Sequence, residues 1–394
     1  MIAIPRSHGR DLSAVVRKLG NSRAKSSPPV ELVAGRNGLT IHAATEEVAV
    51  RHHTPGRRSE KRLMVPLEAF GVCAGRDEAP VTFRSGRQGR LEVEWKEQGT
   101  LKSRSYPMPV KTAKALSPPI PPARFTPGQS GLLEAFIAAG TAAAKEISTR
   151  YVLNRIQLRG GRGEMIASDS KQLLLQGGFT FPWSGDVLVP ASEVFTALAA
   201  LKLSDASIAR TASHVWIAAG PWSVALAIDA TGKFPDVGTL LARTKTSRSE
   251  LILDSDDRAR LLREVPTLPG RQDEQKPVTL DLAGPILRAK GEGDTNAVEI
   301  ALSKSQVRGK RSCVACARTY LLAAMKLGFD RISIGSDNHP VVCRDATRTY
   351  LFMPLSGNEI VPAASRPGSK RMTKSPPVTH LPKSAPAPKP VSLP

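Results

Sequence analysis

The sequence predicts an α+β fold in which one unit, two helices packed on antiparallel sheet, occurs three times in tandem. A first observation is a repeated motif: VPLEAF at 65–70 returns as VPASEVF at 189–195, an offset of 124 positions. A second step of 124 reaches Cys313, and from there TALAALKL (196–203) aligns without a gap with YLLAAMKL (320–327). Self-similarity at a fixed period indicates tandem structural units. We therefore expect three similar domains in a pseudo-symmetric arc.

Each repeat carries the same order of segments. Apolar residues at helical spacing open the three repeats in GRDLSAVVRKL, GLLEAFIAAGTAAAKEI and SDDRARLLREV. Alternating segments such as LTIHAATEEVAVR and EMIASDSKQLLLQ have the period of half-buried strands. A second helix is expected to start at the repeated Val-Pro, because proline suits a first helical turn. Asp254 or Ser255 is expected to cap the first helix of the third repeat.

Proline-rich and polar stretches mark the expected boundaries. The predicted organisation is a first domain at 1–110, a Pro-rich linker at 111–127, a second domain at 128–241, a linker at 242–248, a third domain at 249–355, and a disordered basic Pro-rich tail at 356–394. The tail has no acidic residue after Glu359, so it adds positive charge to the chain.

The overall charge indicates which partners the chain attracts. Its 394 residues have a formal net charge of +21, which draws a surface to polyanions, chiefly nucleic acid or an anionic membrane. No run of about 18 apolar residues occurs, and the first residues lack the apolar core of a signal peptide. A cytoplasmic protein without a membrane segment is therefore expected. Four cysteines in a chain of this length do not make a disulfide framework.

The segment ALAIDATGKFPDV (225–237) contains Gly-Lys, the pair that ends a phosphate-binding loop. Such a loop needs Ser or Thr after the lysine and another glycine five positions before the glycine of Gly-Lys. Phe234 and Ala227 occupy those places. The segment instead predicts the end of a strand, a turn at Gly232 and a proline exit.

Two cysteines at Cys-x-x-Cys spacing, Cys313 and Cys316, resemble half of a zinc or redox site, which His339 and Cys343 would complete. A single pair is a weak signal, and the repeat offset aligns Cys313 with Val65 and Val189. Small buried hydrophobic side chains are therefore the favoured interpretation, with no metal and no cofactor.

Two further motifs have similar alternatives. RGGRG at 159–163 is compatible with an RNA-binding element, but a turn between strands explains it more simply. The carboxylates of Asp254, Asp256 and Asp257 are explained by the N-terminus of a helix, whose dipole favours negative charge. A nuclease or phosphotransferase needs clustered carboxylates that bind magnesium, and the sequence has no such cluster at a recognisable spacing.

Three segments carry a resemblance to a known family. RYVLNRIQL followed by IASDSKQLLLQ (150–176), ALAIDATGKFPDV and HPVVCRDATRTYLFMPL (339–355) resemble motifs of the bacterial DNA sliding clamp, the beta subunit of DNA polymerase III. The family signature Ile-Asp-Gly-Lys-Phe-Pro-Asp is the most specific of these matches. The likeness extends from residue 1 to about residue 355 and is weakest over the first repeat.

The resemblance implies a non-catalytic processivity factor. Family members are head-to-tail homodimeric rings around double-stranded DNA, with helices lining the hole, and they tether DNA polymerase, the clamp loader and other partners. Lysine and arginine on such helices attract phosphates without fixing sequence register. The alternative is a clamp-fold DNA-binding scaffold that forms no ring and has an altered partner pocket; an enzyme is the third and least supported possibility.

Basic residues on or beside the expected pore helices are the candidates for DNA contact, although a solvated helix face is the simpler explanation of charge on a helix. The candidates are Arg10, Arg17, Arg23, Lys25, Lys145, Tyr151, Lys202, Arg258, Arg318 and Lys326, with Lys18, Arg260 and Arg263 beside them. Val152 stands where the family often has a second aromatic residue after the tyrosine, which implies one stacking contact fewer.

The resemblance also implies an apolar pocket for partner peptides between the second and third domains. The matching residues are Leu153, Ser168, Leu173, Pro340, Leu351 and Met353. Two departures imply altered specificity: 170–172 reads Ser-Lys-Gln where the family has Gly-His-Arg, and Ala317 replaces an asparagine. Ordinary core packing is the alternative for Leu173 and Leu351 taken singly.

Overall fold

A computed structural model describes residues 1–19, 28–109, 118–127, 130–145, 151–203, 205–244, 249–270, 272–291, 293–294, 297–335 and 339–363. Within these ranges the helices are α1 (Arg6–Val16), α2 (Leu67–Cys73), α3 (Leu132–Ala142), α4 (Val194–Ala200), α5 (Gly238–Arg243), α6 (Ser255–Glu264) and α7 (Arg318–Lys326). None of the helices in the described part of the chain is long and apolar enough to cross a membrane.

The strands fall into three groups that follow the sequence repeats. The first repeat contains β1 (Ile2–Pro5), β2 (Val30–Gly35), β3 (Gly38–Ala44), β4 (Val48–Thr54), β5 (Lys61–Val65), β6 (Pro80–Ser85), β7 (Arg90–Glu97) and β8 (Thr100–Pro107). The second contains β9 (Arg155–Arg159), β10 (Glu164–Ser168), β11 (Gln172–Gln176), β12 (Asp186–Pro190), β13 (Ser207–Arg210), β14 (His214–Ala219) and β15 (Trp222–Ala227). The third contains β16 (Ser249–Ile252), β17 (Pro277–Asp281), β18 (Ile286–Ala289), β19 (Val298–Ala301), β20 (Gln306–Gly309), β21 (Cys313–Ala317), β22 (Arg331–Ile334), β23 (Val341–Arg344) and β24 (Arg348–Phe352).

Two of the four antiparallel sheets extend from one repeat into the next. A seven-stranded sheet, β13-β14-β15-β4-β3-β2-β5, joins the first repeat to the second through the β4–β15 pair, and we call this junction the first seam. A nine-stranded sheet, β12-β9-β10-β11-β24-β23-β22-β16-β20, joins the second to the third through β11–β24, the second seam. The remaining sheets, β1-β6-β7-β8 and β19-β18-β17-β21, each lie within one repeat.

Alternation along the strands separates a core face from an outer face. On β3, Ile41 and Ala43 are buried in the main core, whereas Thr40 and His42 are half-buried on the other side of the sheet. Successive side chains of a strand point to opposite faces, so this pattern fixes which face meets the helices. The helices pack in pairs, α1 on α2, α3 on α4 and α6 on α7, and α1 also packs on α4 across the first seam.

The predicted fold class is confirmed: the structure is mixed α+β, mostly sheet with a few helices. Asp254 caps α6 as expected, because its carboxylate accepts the Asp256 backbone N–H at 2.8 Å.

The expected helix start at Val-Pro is wrong in detail. Pro66 is the N-cap of α2, and Pro190 ends β12 before α4 begins at Val194. The motif therefore marks a strand end, which holds proline in extended backbone.

Residues 356–361, assigned to the tail from sequence, pack against the third repeat. Gly357–Glu359 form a 3-10 turn capped by Ser356, and the Val361 N–H donates to Thr279 Oγ1 at 2.8 Å. The remaining domain boundaries stay a prediction, and residues 364–394 lie outside the described residues.

The turn predicted at Gly232 is confirmed. Asp229 Oδ1 accepts the N–H of Gly232 at 2.7 Å and of Thr231 at 3.1 Å, so the Asp229 carboxylate closes the turn. A Cβ atom at residue 232 would come within 2.6 Å of the Asp229 carboxylate. Glycine is therefore required by close packing at this strand exit.

The cysteine interpretation is right for Cys316 and wrong for Cys313. Cys316 and Cys343 are fully buried, and burial raises the pKa of the Cys316 thiol to about 12. Cys313 is exposed at the start of β21. Residues three apart on a strand point to opposite faces, so the two sulfurs of the Cys-x-x-Cys pair do not converge on one ligand.

The glycine and carboxylate motifs have structural roles. Gly160 and Gly163 form the turn between β9 and β10, and a Cβ at residue 160 would lie 2.4 Å from the Trp183 carbonyl oxygen. Asp257 is buried and accepts the Ser305 hydroxyl at 2.7 Å, while Asp256 pairs with Lys304. These carboxylates hold α6 to the β19–β20 turn.

Candidate functional site

Exposed cations lie on or beside the paired helices. Arg10 and Arg17 belong to α1 and its C-terminus, Lys202 follows α4, and Lys326 ends α7; all four are exposed. Lys202 has a positive φ of 51°, which places it in the turn that leaves α4. These residues come from all three repeats and share the helix-bearing side of the sheets.

A salt bridge joins the helix faces of the first two repeats. Lys18, just beyond α1, lies 2.7 Å from Glu193, the N-cap residue of α4. The Lys18 ammonium holds the pKa of the Glu193 carboxyl below its ordinary value, with a smaller contribution from the exposed Lys145. The positive field of this face is therefore partly neutralised at the first seam.

Arg318 is a correction to the predicted DNA-contacting set. Its side chain is buried, 3% exposed, and its guanidinium donates to the backbone carbonyls of Leu268 and Pro269. An arginine engaged in this way fixes the loop after α6 and does not face a duplex. Arg258 is also committed in part, because its Nη1 donates to the Gly328 carbonyl at 2.9 Å.

The other predicted DNA-contacting residues have mixed positions. Tyr151 is half-buried and begins the segment that leads into β9. Of the two neighbouring helix cations, Arg263 is exposed, and Arg260 forms an ion pair with Glu264 at 2.9 Å. Arg23 and Lys25 lie outside the described residues.

The second seam brings three of the predicted pocket residues onto adjacent strands and a fourth directly after one of these strands. Leu173 on β11 lies opposite Leu351 on β24 and opposite Ser168 on β10. Just after β24, the Met353 N–H donates to the Lys171 carbonyl at 2.8 Å. We call this outer-face surface the second-seam cleft.

The remaining two pocket residues border the second-seam cleft. The Ala144 N–H donates to both the Leu153 carbonyl at 2.9 Å and the Ser168 carbonyl at 3.2 Å, so Leu153 lies beside the end of β10. Pro340 is buried directly before β23. All six predicted residues therefore belong to one region, although Leu173 and Leu351 are only 1% exposed and form its floor.

Further members of the second-seam cleft were missed from sequence. Leu173 and Leu351 pack in one apolar cluster with Ile166, Val237 and Val342, and partly buried Leu175, Phe234, Leu240 and Leu241 border it. The members on strands, Ile166, Leu175 and Val342, could have been predicted from the alternation of buried and exposed residues. Each lies two positions along its strand from a predicted residue, or opposite one. The residues of α5 had no such signal, because only the fold places that helix beside the sheet.

The positions that depart from the family motif form a polar network at the start of β11. Gln172 donates from Nε2 to Asp169 Oδ2 at 2.9 Å and accepts the Tyr350 hydroxyl at Oε1 at 2.6 Å. Ser170 has a φ of 81°, the left-handed conformation that favours glycine. Asp169 Oδ1 accepts the N–H of Lys171 at 2.9 Å, which supports this turn. Polar groups thus tie the second seam together.

Two strands, one in the first repeat and one in the third, lack the pairing across repeats that their counterparts have. In the described residues β8 pairs with β7 alone, and β19 pairs with β18 alone. Each carries a large exposed apolar side chain: Leu101 on β8 is 66% exposed and Val298 on β19 is 46% exposed. An open strand edge with apolar side chains is a template for pairing with another chain.

Comparisons with known proteins agree with this architecture. No protein-family model and no curated protein matches the sequence. Among solved structures, the DNA polymerase sliding clamp of Bacillus subtilis has a TM-score of 0.72 at 17% identity and covers 90% of this chain and 98% of that chain. The DNA polymerase III beta subunits of Pseudomonas aeruginosa (TM-score 0.70, 17% identity) and Thermotoga maritima (TM-score 0.69, 16% identity) each cover 90% of this chain and 99% of their own. The resemblance inferred from the three motifs is thus confirmed in the fold: this chain has the DNA sliding-clamp fold of the DNA polymerase III beta subunits.

Proposed function

We propose that this protein is a non-catalytic sliding clamp, in which two copies close head to tail around double-stranded DNA and hold partner proteins at the second-seam cleft. The observation that carries the proposal is the repeated seam. A ring needs the same junction wherever one repeat meets the next, including the junction between two chains.

The topology supports this equivalence strand by strand. In the first seam, β4, the third strand of the β2-β3-β4 run, pairs with β15, the last strand of the second repeat. In the second seam, β11, which corresponds to β4, pairs with β24, the last strand of the third repeat. The corresponding strands left over are β19 of the third repeat and β8 of the first. Pairing of β19 with β8 of a second copy would repeat the junction and remove both open edges.

Charge supports a polyanion inside such a ring. The chain has a net charge of +21, and exposed cations of all three repeats lie on the helix-bearing side. Phosphate contacts from Arg10, Arg17, Lys202 and Lys326 would be independent of sequence, as sliding requires. Closure of the ring would then supply residence time that such weak contacts do not provide.

The second-seam cleft supports the tethering role. Its floor is apolar, its rim contains the half-buried Met353, and it lies on the sheet face opposite the paired helices, with α5 at its border. A short extended peptide with apolar anchors fits such a surface. We infer that DNA polymerase and the clamp loader dock there, with specificity altered by the Gln172 network.

The experiment that tests the proposal compares closed and open DNA. The protein is loaded onto nicked circular DNA, the complex is isolated at about 0.5 M NaCl, where screening weakens phosphate contacts, and half of it is linearised with a single-cutting nuclease. A ring remains on the circle and leaves through the free ends of the linear form. Equal loss from both forms would favour the non-ring scaffold and contradict the proposal.

A further inference from the structure

The first seam contains an outer-face groove that the proposed clamp function does not use. The groove has a volume of about 270 Å³ and is lined mainly by apolar atoms. Its floor includes Ala49 of β4 and Trp216 of β14, and one wall is the linker segment 118–121, which reads Pro-Pro-Ile-Pro. The linker is held in place by a bridge in which Thr126 and Ile208 exchange backbone hydrogen bonds at 2.8 and 3.1 Å.

This groove is the counterpart of the second-seam cleft. The repeat offset of 124 places Ala49 on Leu173, and Ala49 lies opposite Ala225 as Leu173 lies opposite Leu351. Both pairs lie on the sheet face opposite the paired helices. The linker segment 118–121 borders the first pair, as Leu240 and Leu241 of α5 border the second. Alanine in place of leucine at residue 49 leaves space above the sheet beside Trp216, and the groove lies there.

The polar rim of the groove is cationic. Glu31 is engaged by His42 at 2.7 Å and by Arg62 at 3.1 Å. Arg51 is half-buried, and among the described residues no carboxylate lies within ion-pair distance of it; its Nη2 donates to Thr40 Oγ1 at 3.3 Å. Partial burial lowers the pKa of the Arg51 guanidinium. A desolvated arginine without a counter-ion is poised to bind an anion.

The floor of the groove is apolar. Trp216 is 1% exposed and packs with Ala49 and Ala225 in one cluster. An extended peptide with an apolar anchor side chain fits a groove with such a floor and with apolar walls. Because Trp216 lines the groove, its indole ring reports on binding there.

We propose that the first-seam groove is a second peptide-docking site, which binds an extended segment of a partner protein with an apolar anchor side chain next to a carboxylate. The anchor fills the space above Ala49, and the carboxylate pairs with Arg51. The clamp would then hold two partner segments of different chemistry on each chain. The site lies within one chain, so it does not depend on ring closure.

Fluorine NMR of the full chain labelled with 5-fluorotryptophan tests this site. The chain has four tryptophans, so four resonances are expected, and each is assigned with a Trp→Phe variant. The probes are the capped pentapeptide Gly-Leu-Asp-Leu-Gly and the same peptide with Asn in place of Asp. We expect the acidic peptide to shift the Trp216 resonance saturably and to bind at least about tenfold more tightly than the Asn peptide.

Two variants locate the binding. Ala49→Leu, which copies the second seam, is expected to remove the Trp216 shift, and Arg51→Gln is expected to bring the two peptides to equal affinity. Met353→Lys, on the second-seam cleft, is the matched control and should leave the Trp216 response unchanged.

Three results would overturn the proposal. One is an acidic peptide that binds no better than the Asn peptide, and another is a Trp216 shift that persists in Ala49→Leu. The third concerns a competing occupant: a synthetic peptide of the chain's own residues 370–390 that shifts Trp216 at lower concentration than the acidic probe would assign the groove to the basic tail.

Discussion

The Tyr350 hydroxyl donates to Gln172 Oε1 at 2.6 Å and so links β24 of the third repeat to β11 of the second inside the second seam. Both residues are buried, and Gln172 is in turn held by Asp169. Polar groups in such a position specify register, because a shift of one residue would leave each of them without a partner.

Tyr350→Phe is expected to lower the free energy of unfolding by about 1–3 kcal/mol, because it leaves the Gln172 oxygen buried without a donor. Urea denaturation followed by circular dichroism measures this loss. Tyr320→Phe is the matched control, since the Tyr320 hydroxyl donates to Asp169 over a longer 3.3 Å and is less buried. An equal loss in the two variants would contradict a special role for Tyr350.

His52 predicts a stability change in mild acid. It packs edge-on against Trp222 with ring centroids 4.7 Å apart, and burial, with smaller effects of His8 and His53, lowers its pKa to about 4. Below the unfolded pKa of about 6.5, His52 binds a proton in the unfolded chain but stays neutral in the folded chain. Stability contributed by neutral His52 is therefore complete above the unfolded pKa and is lost progressively toward pH 4.

The full contribution of His52 is about 3 kcal/mol, from a pKa difference of about 2.5. His52→Gln should flatten the pH dependence of unfolding in this window, whatever its effect on stability at neutral pH. His8→Gln, at the neighbouring ring, serves as the control. Parallel pH profiles for wild type and His52→Gln, measured by urea denaturation, would show that His52 is not the titrating group.

The proposed ring predicts that an acidic side chain on the open edge of β8 breaks the dimer. Leu101→Asp would bury an uncompensated charge at the β8–β19 junction, and we expect dimerisation to weaken at least about tenfold. Light scattering during size-exclusion chromatography gives the mass. Ile120→Asp is the matched control, because Ile120 is 85% exposed but belongs to the linker. A wild-type monomer, or a Leu101→Asp dimer, would count against the proposed junction.

The helix-face cations predict a shallower salt dependence of DNA binding. Replacement of Arg10, Arg17, Lys202 and Lys326 by Gln should reduce the slope of log K against log salt by about 0.9 for each DNA phosphate that the variant no longer neutralises. Fluorescence anisotropy with duplex DNA measures the slope. The control removes four exposed cations outside the α-helices, Arg36, Arg57, Lys61 and Arg87. Similar slope changes for both sets would indicate diffuse attraction by net charge.

The second-seam cleft predicts that a charge at Met353 blocks partner binding without unfolding the protein. Leu173 is unsuitable for this test, because a charge at a side chain only 1% exposed would disrupt the seam itself. Met353→Lys should weaken binding to the replicative DNA polymerase of the same cell at least about tenfold, measured by biolayer interferometry. Met64→Lys, a half-buried methionine on the outer face of β5, is the control. Unchanged polymerase binding by Met353→Lys would place the partner site elsewhere.

The sequence by itself determined the threefold repetition, the α+β class and the local chemistry of turns and caps. These features depend only on neighbouring or regularly spaced residues, so the sequence is enough to predict them. Examples are the offset of 124 residues, the glycine turn at 232 and the cap at Asp254. The motif for the peptide pocket likewise located a region that the fold brings together.

Only the tertiary structure decided which segments meet and which charges remain available. Leu173 and Leu351 become neighbours because two repeats share one sheet, and strand pairing over that sequence distance leaves no periodic trace. Helical spacing did not reveal that the Arg318 guanidinium donates to the carbonyls of Leu268 and Pro269. Whether an arginine is buried or exposed depends on the segments that pack around it, and its own position in the sequence does not show this. The groove above Ala49 was hidden for a related reason: an alanine produces a cavity only where the facing strand and the crossing linker leave its space unfilled.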